Sequence, residues 1–341
     1  MAPCSSKLLL VNGVPLAGDV PPVATFLQST AGAYTTTRTY GGASLVLFLE
    51  RHIRRLVHSA RLLSQSRPSL FSAGSVPAVF PLIDSVPHRI HDSLEIGLRL
   101  ALRDRDRSGS TDELAITALV RGRCDSDGLD VLLHVGFFIP PPFGAFGARL
   151  AVAGPGRDLA EAKYSDWVRV RQGLEKMRPP SVTELLLTND GDSILEGTVT
   201  NFFVVRRKVI HDFTEPPPTE QELCSFVVQT APISDGILPG VIRQLVIEIC
   251  SSMNIPIEEV APSWSDHALW QEAFITSSLR LVQHVETIQF PTSSKILHTR
   301  SFQEFSWATK QFQGIGHITR HIQNEIINRA AEESFKINQY S

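Results

Sequence analysis

The chain has 341 residues, of which 43% are hydrophobic and 20% are charged. This composition is ordinary for a folded globular protein. Because a chain of this length is longer than most single domains with one hydrophobic core, we expect two domains. The formal net charge of −3 gives no electrostatic reason to expect a nucleic acid or an anionic membrane as a partner.

Targeting and redox signals are weak along the sequence. No apolar run approaches the ~20 residues that a membrane-spanning helix needs, and the N-terminus has the pattern of neither a signal peptide nor an organelle transit peptide. The four cysteines are far apart and form no CxxC pair: Cys4, Cys124, Cys224 and Cys250. This spacing argues against a zinc site and for reduced thiols, so we expect a cytoplasmic protein without a bound metal.

The first 139 residues combine β runs with two helices. Asn-Gly and Gly-Gly pairs between β-rich runs predict turns, and apolar residues at helical spacing predict helices. The predicted elements, in chain order, are a strand with an internal Asn-Gly turn at Leu8–Leu16, two β-rich runs around Gly41 and Gly42, a helix at Glu50–Leu63, a helix at residues 92–105, and two strands at residues 113–122 and 129–138. The Ser- and Pro-rich segment Ser64–Val86 is expected to be a surface insertion.

Three consecutive prolines with glycines close behind cannot lie inside a helix or a strand, so residues 140–147 are predicted to link two domains. The elements predicted beyond them are strands at Arg149–Ala153, Glu184–Thr188 and Phe202–Val205 and helices at Gly240–Met253 and Ile318–Glu333. We therefore expect an α/β protein with a smaller N-terminal α+β domain at residues 1–139 and a larger C-terminal α/β domain at residues 148–341.

Lys163 follows the predicted linker and precedes Glu196, an acid just before the apolar strand NFFVV. A lysine whose amine is desolvated can form a Schiff base with an aldehyde, which is how proteins hold pyridoxal phosphate. That cofactor also needs an acid opposite its pyridine nitrogen, because the protonated ring draws electrons from the substrate. Carboxylates are rarely buried without a partner, and a ring nitrogen would give Glu196 one.

The sequence also offers groups for a phosphate. Free N–H groups at a helix start bind anions, and hydroxyls or a guanidinium can complete such a site. The candidates are Arg55 on the first predicted helix, the amides of Val241 and Ile242 directly after Gly240, and the hydroxyls of Ser277 and Ser278 at a strand end.

Several motifs, in matching order, resemble those of the fold-type IV, or class IV, pyridoxal-phosphate enzymes. They run from about Leu8 to about Ala331 and comprise VNG, GAYTTTR, HIRRLVHSARLL, TELLLTNDGDSILEGTVTNFFVV, ILPGVIRQ, AFITSSLRLVQHV and GIGHITRHIQ. The family includes branched-chain aminotransferases, D-amino-acid aminotransferases and 4-amino-4-deoxychorismate lyases. The stretches AKYSDWVR and LEGTVTNFFVV are similar to those of plant branched-chain-aminotransferase-like proteins.

The resemblance implies the fold of the D-amino-acid aminotransferases, with pyridoxal 5′-phosphate held between two domains. It implies Lys163 as the Schiff-base lysine and proton carrier, Glu196 as the partner of the pyridine nitrogen, and Arg55 as the phosphate arginine. The implied substrate contacts are Tyr34, Arg38 and Arg121. Family precedent further implies a homodimer in which a loop of the partner completes the pocket.

The reaction implied is transfer of an amino group between an amino acid, of the branched-chain or D-amino-acid type, and a 2-oxo acid. Three departures from the motifs bear on substrate and turnover: Thr35 stands for a Glu, Asp166 for an Asn, and Ser277 for a Gly. Two alternatives stay open, an aminodeoxychorismate-lyase-like elimination and a pyridoxal-phosphate-binding protein that has lost turnover. Taken alone, Lys163 would be an ordinary surface lysine and Glu196 a strand-end acid, so their joint spacing supports the functional interpretation.

Overall fold

The computed structural model describes residues 7–71, 76–123, 128–176, 178–208, 225–292 and 306–337. Contacts between Cα atoms divide the chain into two compact units, which we call the first and the second unit. The first unit consists of Met1–Pro140, Ala162–Val170 and Arg329–Ser341, and the second of Pro141–Glu161 and Arg171–Asn328.

The first unit contains an antiparallel sheet with helices. The strands are β1 (Lys7–Val11), β2 (Val14–Pro15), β3 (Ala33–Tyr40), β4 (Leu45–Val46), β5 (Glu113–Gly122), β6 (Leu129–Phe138) and β16 (Phe335–Lys336). Their order in this seven-stranded sheet is β16-β4-β3-β5-β6-β1-β2. The helices are α1 (Val23–Ser29), α2 (Leu49–Ser66), α3 (Val76–Asp84) and α4 (Val86–Ser108).

Two sequence predictions explain how this unit folds locally. Asn12 and Gly13 both have positive φ angles, of 53° and 81°, and they join β1 to β2 as the predicted Asn-Gly turn. In α2, the predicted apolar stripe is buried, and its members are Ile53, Leu56, Ala60 and Leu63. This stripe packs α2 against the sheet, which fixes the side chains on the neighbouring positions of the helix.

The segment Ser64–Val86 differs from its prediction as a surface insertion. Residues 72–75 lie outside the described part of the chain, but α3 follows them directly, and Phe71, Val79 and Ile83 are buried. Val79 and Ile83 are four residues apart and share one face of α3, so apolar periodicity outweighed the Ser- and Pro-rich composition.

The second unit contains a larger sheet. Its strands are β7 (Ala148–Val152), β8 (Glu184–Thr188), β9 (Ile194–Gly197), β10 (Asn201–Arg207), β11 (Phe226–Thr230), β12 (Ile257–Glu259), β13 (Trp270–Ser277), β14 (Leu281–Pro291) and β15 (Trp307–Gln311). The strand order is β12-β11-β10-β13-β14-β7-β8-β9, and β15 pairs with β14. An additional pairing of β9 with β10 closes β10, β13, β14, β7, β8 and β9 into a ring. Apolar side chains of these strands, among them Leu150, Phe202 and Trp270, form one core cluster.

The remaining helices are α5 (Asp166–Lys176), α6 (Val241–Ser252) and α7 (His317–Glu333). Both α5 and α7 have residues in each of the two units. No helix in the described part of the chain is long and apolar enough to cross a membrane. Of the four cysteines, Cys250 is a buried free thiol, whereas Cys4, Cys124 and Cys224 lie outside the described residues.

The division of the chain differs in two segments from the expected domains at 1–139 and 148–341. Residues 162–170 group with the first unit because the amide of Tyr34 donates to the carbonyl of Lys163 at 2.9 Å. The C-terminal residues group there because β16 pairs with β4. Residues 140–147 contain neither helix nor strand, and their role as the linker stays a prediction.

Candidate active site

Lys163 is held through its backbone by two elements of the first unit. Its N–H donates to the hydroxyl of Ser59 on α2 at 3.1 Å, and its carbonyl accepts from Tyr34 on β3. The Nζ atom lies 4.7 Å from the centroid of the Tyr34 ring, within the range of a cation–π contact. The motif serine of α2 and the strand that carries Tyr34 therefore place the predicted lysine.

Arg55 lies on the same helix and is buried, although it carries a charge. Its Nη2 donates to Oγ1 of Thr35 at 2.9 Å, and that oxygen lies 2.9 Å from Nδ1 of His52. Burial lowers the pKa of His52 well below its ordinary value, and the nearby charges of Arg55 and Lys163 lower it further. The His52 ring is therefore neutral, and it accepts the proton of the Thr35 hydroxyl while that hydroxyl accepts from Arg55.

Two arginines that the sequence predicts as substrate contacts have local partners in the first unit. Arg38 is buried on β3 and donates from Nη1 to the carbonyl of Thr39 at 3.0 Å, and burial lowers its pKa. Nε of Arg121 lies 3.8 Å from a carboxylate oxygen of Asp130 on the neighbouring strand β6. Their role with substrate stays a prediction.

Glu196 is buried in the second unit, and both of its oxygens accept hydrogen bonds. Nε and Nη2 of Arg157 lie 2.8 and 2.6 Å from Oε1. The Nδ2 of Asn201 and the amide of Leu238 donate to Oε2 at 3.3 and 3.1 Å. Such donors favour the ionised carboxylate. The sequence predicted a ring nitrogen as the partner of Glu196, and the structure adds a buried arginine from the chain itself.

Arg157 was not among the predicted site residues. It is separated from Glu196 by 39 positions and lies in the loop GPGR, six residues before Lys163. The signal that could have indicated it is the charge balance around a buried acid, because an ionised carboxylate in a core needs a cation or several donors. Spacing alone does not show which of the many arginines meets that need.

Asn201 joins three of the predicted motifs within the second unit. On β10 it pairs with Glu196 of β9 on one side and with Thr276 of β13 on the other. Its Nδ2 also donates to the carbonyl of Leu238 at 2.9 Å, just before α6. A Cβ on Gly240 would lie 2.1 Å from Oδ1 of Asn201, so this position requires glycine. Asn201 therefore brings together the acid, the end of β13 and the start of α6.

The start of α6 is suited to an anion. Gly240 is its N-cap and provides no side-chain cap, and the first two helical residues, Val241 and Ile242, are buried. N–H groups in the first turn have no carbonyl partner within the helix, and the helix dipole places partial positive charge there. The hydroxyl of Thr276 is also buried, and it makes no hydrogen bond to any described residue.

The two predicted serines lie at the end of β13, next to Thr276. The hydroxyl of Ser277 accepts from the amide of Arg280 at 3.3 Å, so it supports the turn that leads into β14. Ser278 lies within that turn and is half-buried. Nη2 of Arg280 in turn donates to buried Glu184 at 3.1 Å. Glu184 also accepts from the amide of Val199, which ties the loop after Glu196 to this turn.

Comparison with known proteins assigns the family. Residues 32–288 match the family model described as amino-transferase class IV, and the chain belongs to that family. No curated protein matches the sequence.

Solved structures that are similar to this chain have low sequence identity to it. A hypothetical aminotransferase from Mycobacterium tuberculosis, in its apo form, has a TM-score of 0.64 at 14% identity and covers 96% of this chain and 100% of its own. The branched-chain aminotransferase from Thermoproteus uzoniensis with norvaline has a TM-score of 0.61 at 18% identity, covering 97% and 99%. The T.th. branched-chain amino acid aminotransferase, complexed with N-(5′-phosphopyridoxyl)-L-glutamate, has a TM-score of 0.62 at 15% identity, covering 97% and 98%.

These findings confirm the predicted family and fold class. Aminotransferases of class IV use pyridoxal 5′-phosphate, so this chain is a pyridoxal-phosphate-dependent enzyme that acts on amino acids and 2-oxo acids. The residues fit the two ends of that cofactor. An ionised, buried Glu196 suits a protonated ring nitrogen, and the uncapped start of α6 suits a phosphate.

Proposed function

We propose that the chain transfers an amino group between a branched-chain or D-amino acid and a 2-oxo acid. One observation carries this proposal: Asn201 hydrogen-bonds both to Glu196 and to the carbonyl of Leu238, just before α6. An ionised acid and an anion site at the start of α6 therefore lie close together in one unit. Bound pyridoxal phosphate supplies an aldehyde for the amine and an electron sink for the bonds at the substrate Cα.

In this proposal the amine of Lys163 holds the cofactor and then carries a proton at the substrate Cα as general base and acid. Glu196 keeps its negative charge opposite the ring nitrogen, and Arg157 and Asn201 hold it in place. Arg55 and the groups at α6 and β13 bind the phosphate; those groups are the amides of Val241 and Ile242 and the hydroxyls of Ser277 and Ser278. Tyr34, Arg38 and Arg121 are proposed to contact the substrate.

We also propose that the protein is a homodimer, as the family resemblance implies. The two solved branched-chain aminotransferases named above, one with norvaline and one with a glutamate adduct, support branched-chain or glutamate-type amino acids as the first substrates to try.

The covalent link tests the site. We expect borohydride reduction of the cofactor-loaded protein, followed by digestion and mass spectrometry, to place the label on Lys163. Lys163→Ala should lose the label, and Lys176→Ala, which changes a lysine on α5, should keep it. A label on any other lysine of the wild-type chain would refute the assignment.

Single amino acids test the reaction. In a transaminase, one amino acid converts the bound cofactor to its amine form and releases one equivalent of the 2-oxo acid. A screen of L- and D-amino acids that follows the absorbance of the bound cofactor would name the substrate class. Incubation with aminodeoxychorismate tests the lyase alternative, which would release pyruvate and an aminobenzoate. No reaction with aminodeoxychorismate or with any amino acid would support a protein that has lost turnover.

A further inference from the structure

A pair of histidines lies at the start of α7, and neither is among the residues placed in the candidate active site. His317 is the first residue of the helix and is exposed, and His321 follows one turn later and is half-buried. The two Nε2 atoms are 3.0 Å apart. The ring centroids are 4.4 Å apart, with an angle of 82° between the ring planes. The two Nε2 atoms are therefore close enough for both to bind one ion.

The distance between the nitrogens matches that of two ligands on one metal ion. Imidazole nitrogens bind transition metals at ~2.1 Å, and two such bonds at a right angle place the nitrogens ~3 Å apart. Right angles occur in octahedral and tetragonal coordination, which favours Ni²⁺ and Cu²⁺ over tetrahedral Zn²⁺. Without a metal, the same distance is that of one neutral ring donating to the other.

The helix start that carries His317 is fixed by a buried acid of the second unit. Glu272 on β13 accepts from the amide of Ile318 at 3.0 Å and from the amide and hydroxyl of Thr319 at 2.8 and 2.7 Å. A Cβ on Gly316 would lie 1.8 Å from the carboxyl carbon of Glu272, so glycine is required there. The first turn of α7 is therefore held in one position, and its histidines need little ordering before a metal binds.

We propose that His317 and His321 form a binding site for a divalent transition metal, Ni²⁺ or Cu²⁺, with water in the remaining coordination positions. In a pair of neutral rings, the ion takes the place of the proton between the two Nε2 atoms, and that proton moves to Nδ1 of its own ring. The described residues hold no group of three or more histidine, cysteine or acidic side chains that could hold a metal. The site is thus an open site with two protein ligands among the described residues, and neither ligand has a role in the proposed transamination.

Titration of Ni²⁺ into the full-length protein by calorimetry tests the proposal. We expect His317→Gln and His321→Gln each to weaken binding at one site by ~10²-fold, because each leaves a single imidazole without its chelating neighbour. The double variant should lose less than the two single losses added together, since the chelate of two imidazoles is already lost in either single variant. The matched control is His88→Gln on α4, whose side chain is 85% exposed, and it should bind Ni²⁺ like the wild type.

Electron paramagnetic resonance of the wild-type protein with one equivalent of Cu²⁺ gives a second measurement that does not depend on any variant. Hyperfine coupling to two imidazole nitrogens, lost in both single variants, would support the site. Coupling to one nitrogen or none would overturn it. Equal Ni²⁺ affinity in the wild type and the double variant would overturn it as well.

Discussion

Lys163 in the first unit and Glu196 in the second differ in how the protein holds their ionisable atoms. The backbone of Lys163 is fixed by Ser59 and Tyr34, and its amine lies beside an aromatic face. Both carboxylate oxygens of Glu196 accept hydrogen bonds, including an ion pair with buried Arg157. The hydrogen bonds described above fix Lys163 at its backbone and Glu196 at its carboxylate.

This difference suits the role that we propose for each residue. In the proposed role of Lys163, a proton carrier must reach two atoms, and a fixed backbone sets the point from which its side chain reaches them. A charge that stabilises another charge acts best when it does not reorganise during the reaction. The comparison therefore predicts that changes around Glu196 act on folding and charge together, whereas changes around Lys163 act mainly on cofactor binding.

The largest effect is expected at Arg157. Arg157→Met keeps an unbranched side chain but removes the guanidinium that pairs with the buried carboxylate of Glu196. Removing one partner of a buried ion pair typically costs about 3–5 kcal/mol, because the remaining charge stays buried and uncompensated. Urea unfolding of the cofactor-free protein would measure this loss in the free energy of unfolding.

Arg169→Met is the matched control for this change. Arg169 pairs with Asp166 at 2.8 Å, but its side chain is 64% exposed, so the loss should stay below about 1 kcal/mol. The double variant Arg157→Met with Glu196→Gln should recover part of the stability, because it removes the uncompensated charge. Equal losses at Arg157 and Arg169 would contradict the view that Glu196 is placed through its charged end.

The next effect concerns the phosphate. Arg55→Ala should weaken cofactor affinity by about 1.5–3 kcal/mol, roughly 10- to 150-fold, through a lost charge-assisted hydrogen bond. Arg54→Ala changes an exposed arginine about 100° round α2 and should do much less. Titration of pyridoxal phosphate into both variants gives the two dissociation constants. The same change in both, or in neither, would show that the HIRR motif has been aligned in the wrong register.

Sequence patterns predicted the strongly periodic elements well. The predicted bounds of β5, β6 and β8 are those of the structure, and α6 and α7 agree within one residue at each end. The motif residues Glu196 and Gly240 both lie against Asn201 in the second unit, and their role with the cofactor stays a prediction. Local periodicity and turn residues are short-range signals, and these elements depend on little else.

What the sequence could not predict depends on contacts between distant residues. The closure of the strand ring through β9 and β10, and the grouping of residues 162–170 with the first unit, come from pairings across many positions. The pair of Arg157 and Glu196 is of the same kind. Asn201 was visible in the family motif, but its role as the junction of three motifs appears only once β9, β10 and β13 are side by side.

A smaller effect, on the lysine side of the comparison, should appear in the pH dependence of stability. The pKa of His52 is lowered in the folded protein, first by burial and then by Arg55 and Lys163. Below pH ~6.5, the ordinary pKa of histidine, the unfolded chain therefore binds a proton that the folded protein does not. As the pH is lowered through this range, the free energy of unfolding decreases by up to ~1.4 kcal/mol per pH unit. Above that value the contribution is complete and constant.

His52→Asn tests this dependence, because the Asn Oδ1 can replace Nδ1 as the acceptor for Thr35 and does not titrate. Unfolding free energies at pH 7.5, 6.5 and 5.5 should fall less steeply in the variant than in the wild type. His134 and His284 also have lowered pKa values, caused first by burial, so part of the slope should remain. Parallel slopes in the wild type and His52→Asn would show that His52 does not stay neutral in the folded protein.

The smallest effect is expected at Thr276, and it separates cofactor binding from folding. Its buried hydroxyl makes no hydrogen bond to any described residue, so Thr276→Val keeps the shape of the side chain and removes no bond within the described chain. The cofactor-free variant should be as stable as the wild type or slightly more stable, since a buried hydroxyl without a partner costs free energy.

If this hydroxyl donates to the phosphate bound at the start of α6, the variant should lose about 0.5–1.5 kcal/mol of cofactor affinity, roughly a 2- to 12-fold rise in the dissociation constant. Unfolding and cofactor titration on one preparation measure both quantities. A variant that is less stable but binds the cofactor normally would place the hydroxyl in the folding of β13 rather than in the phosphate site.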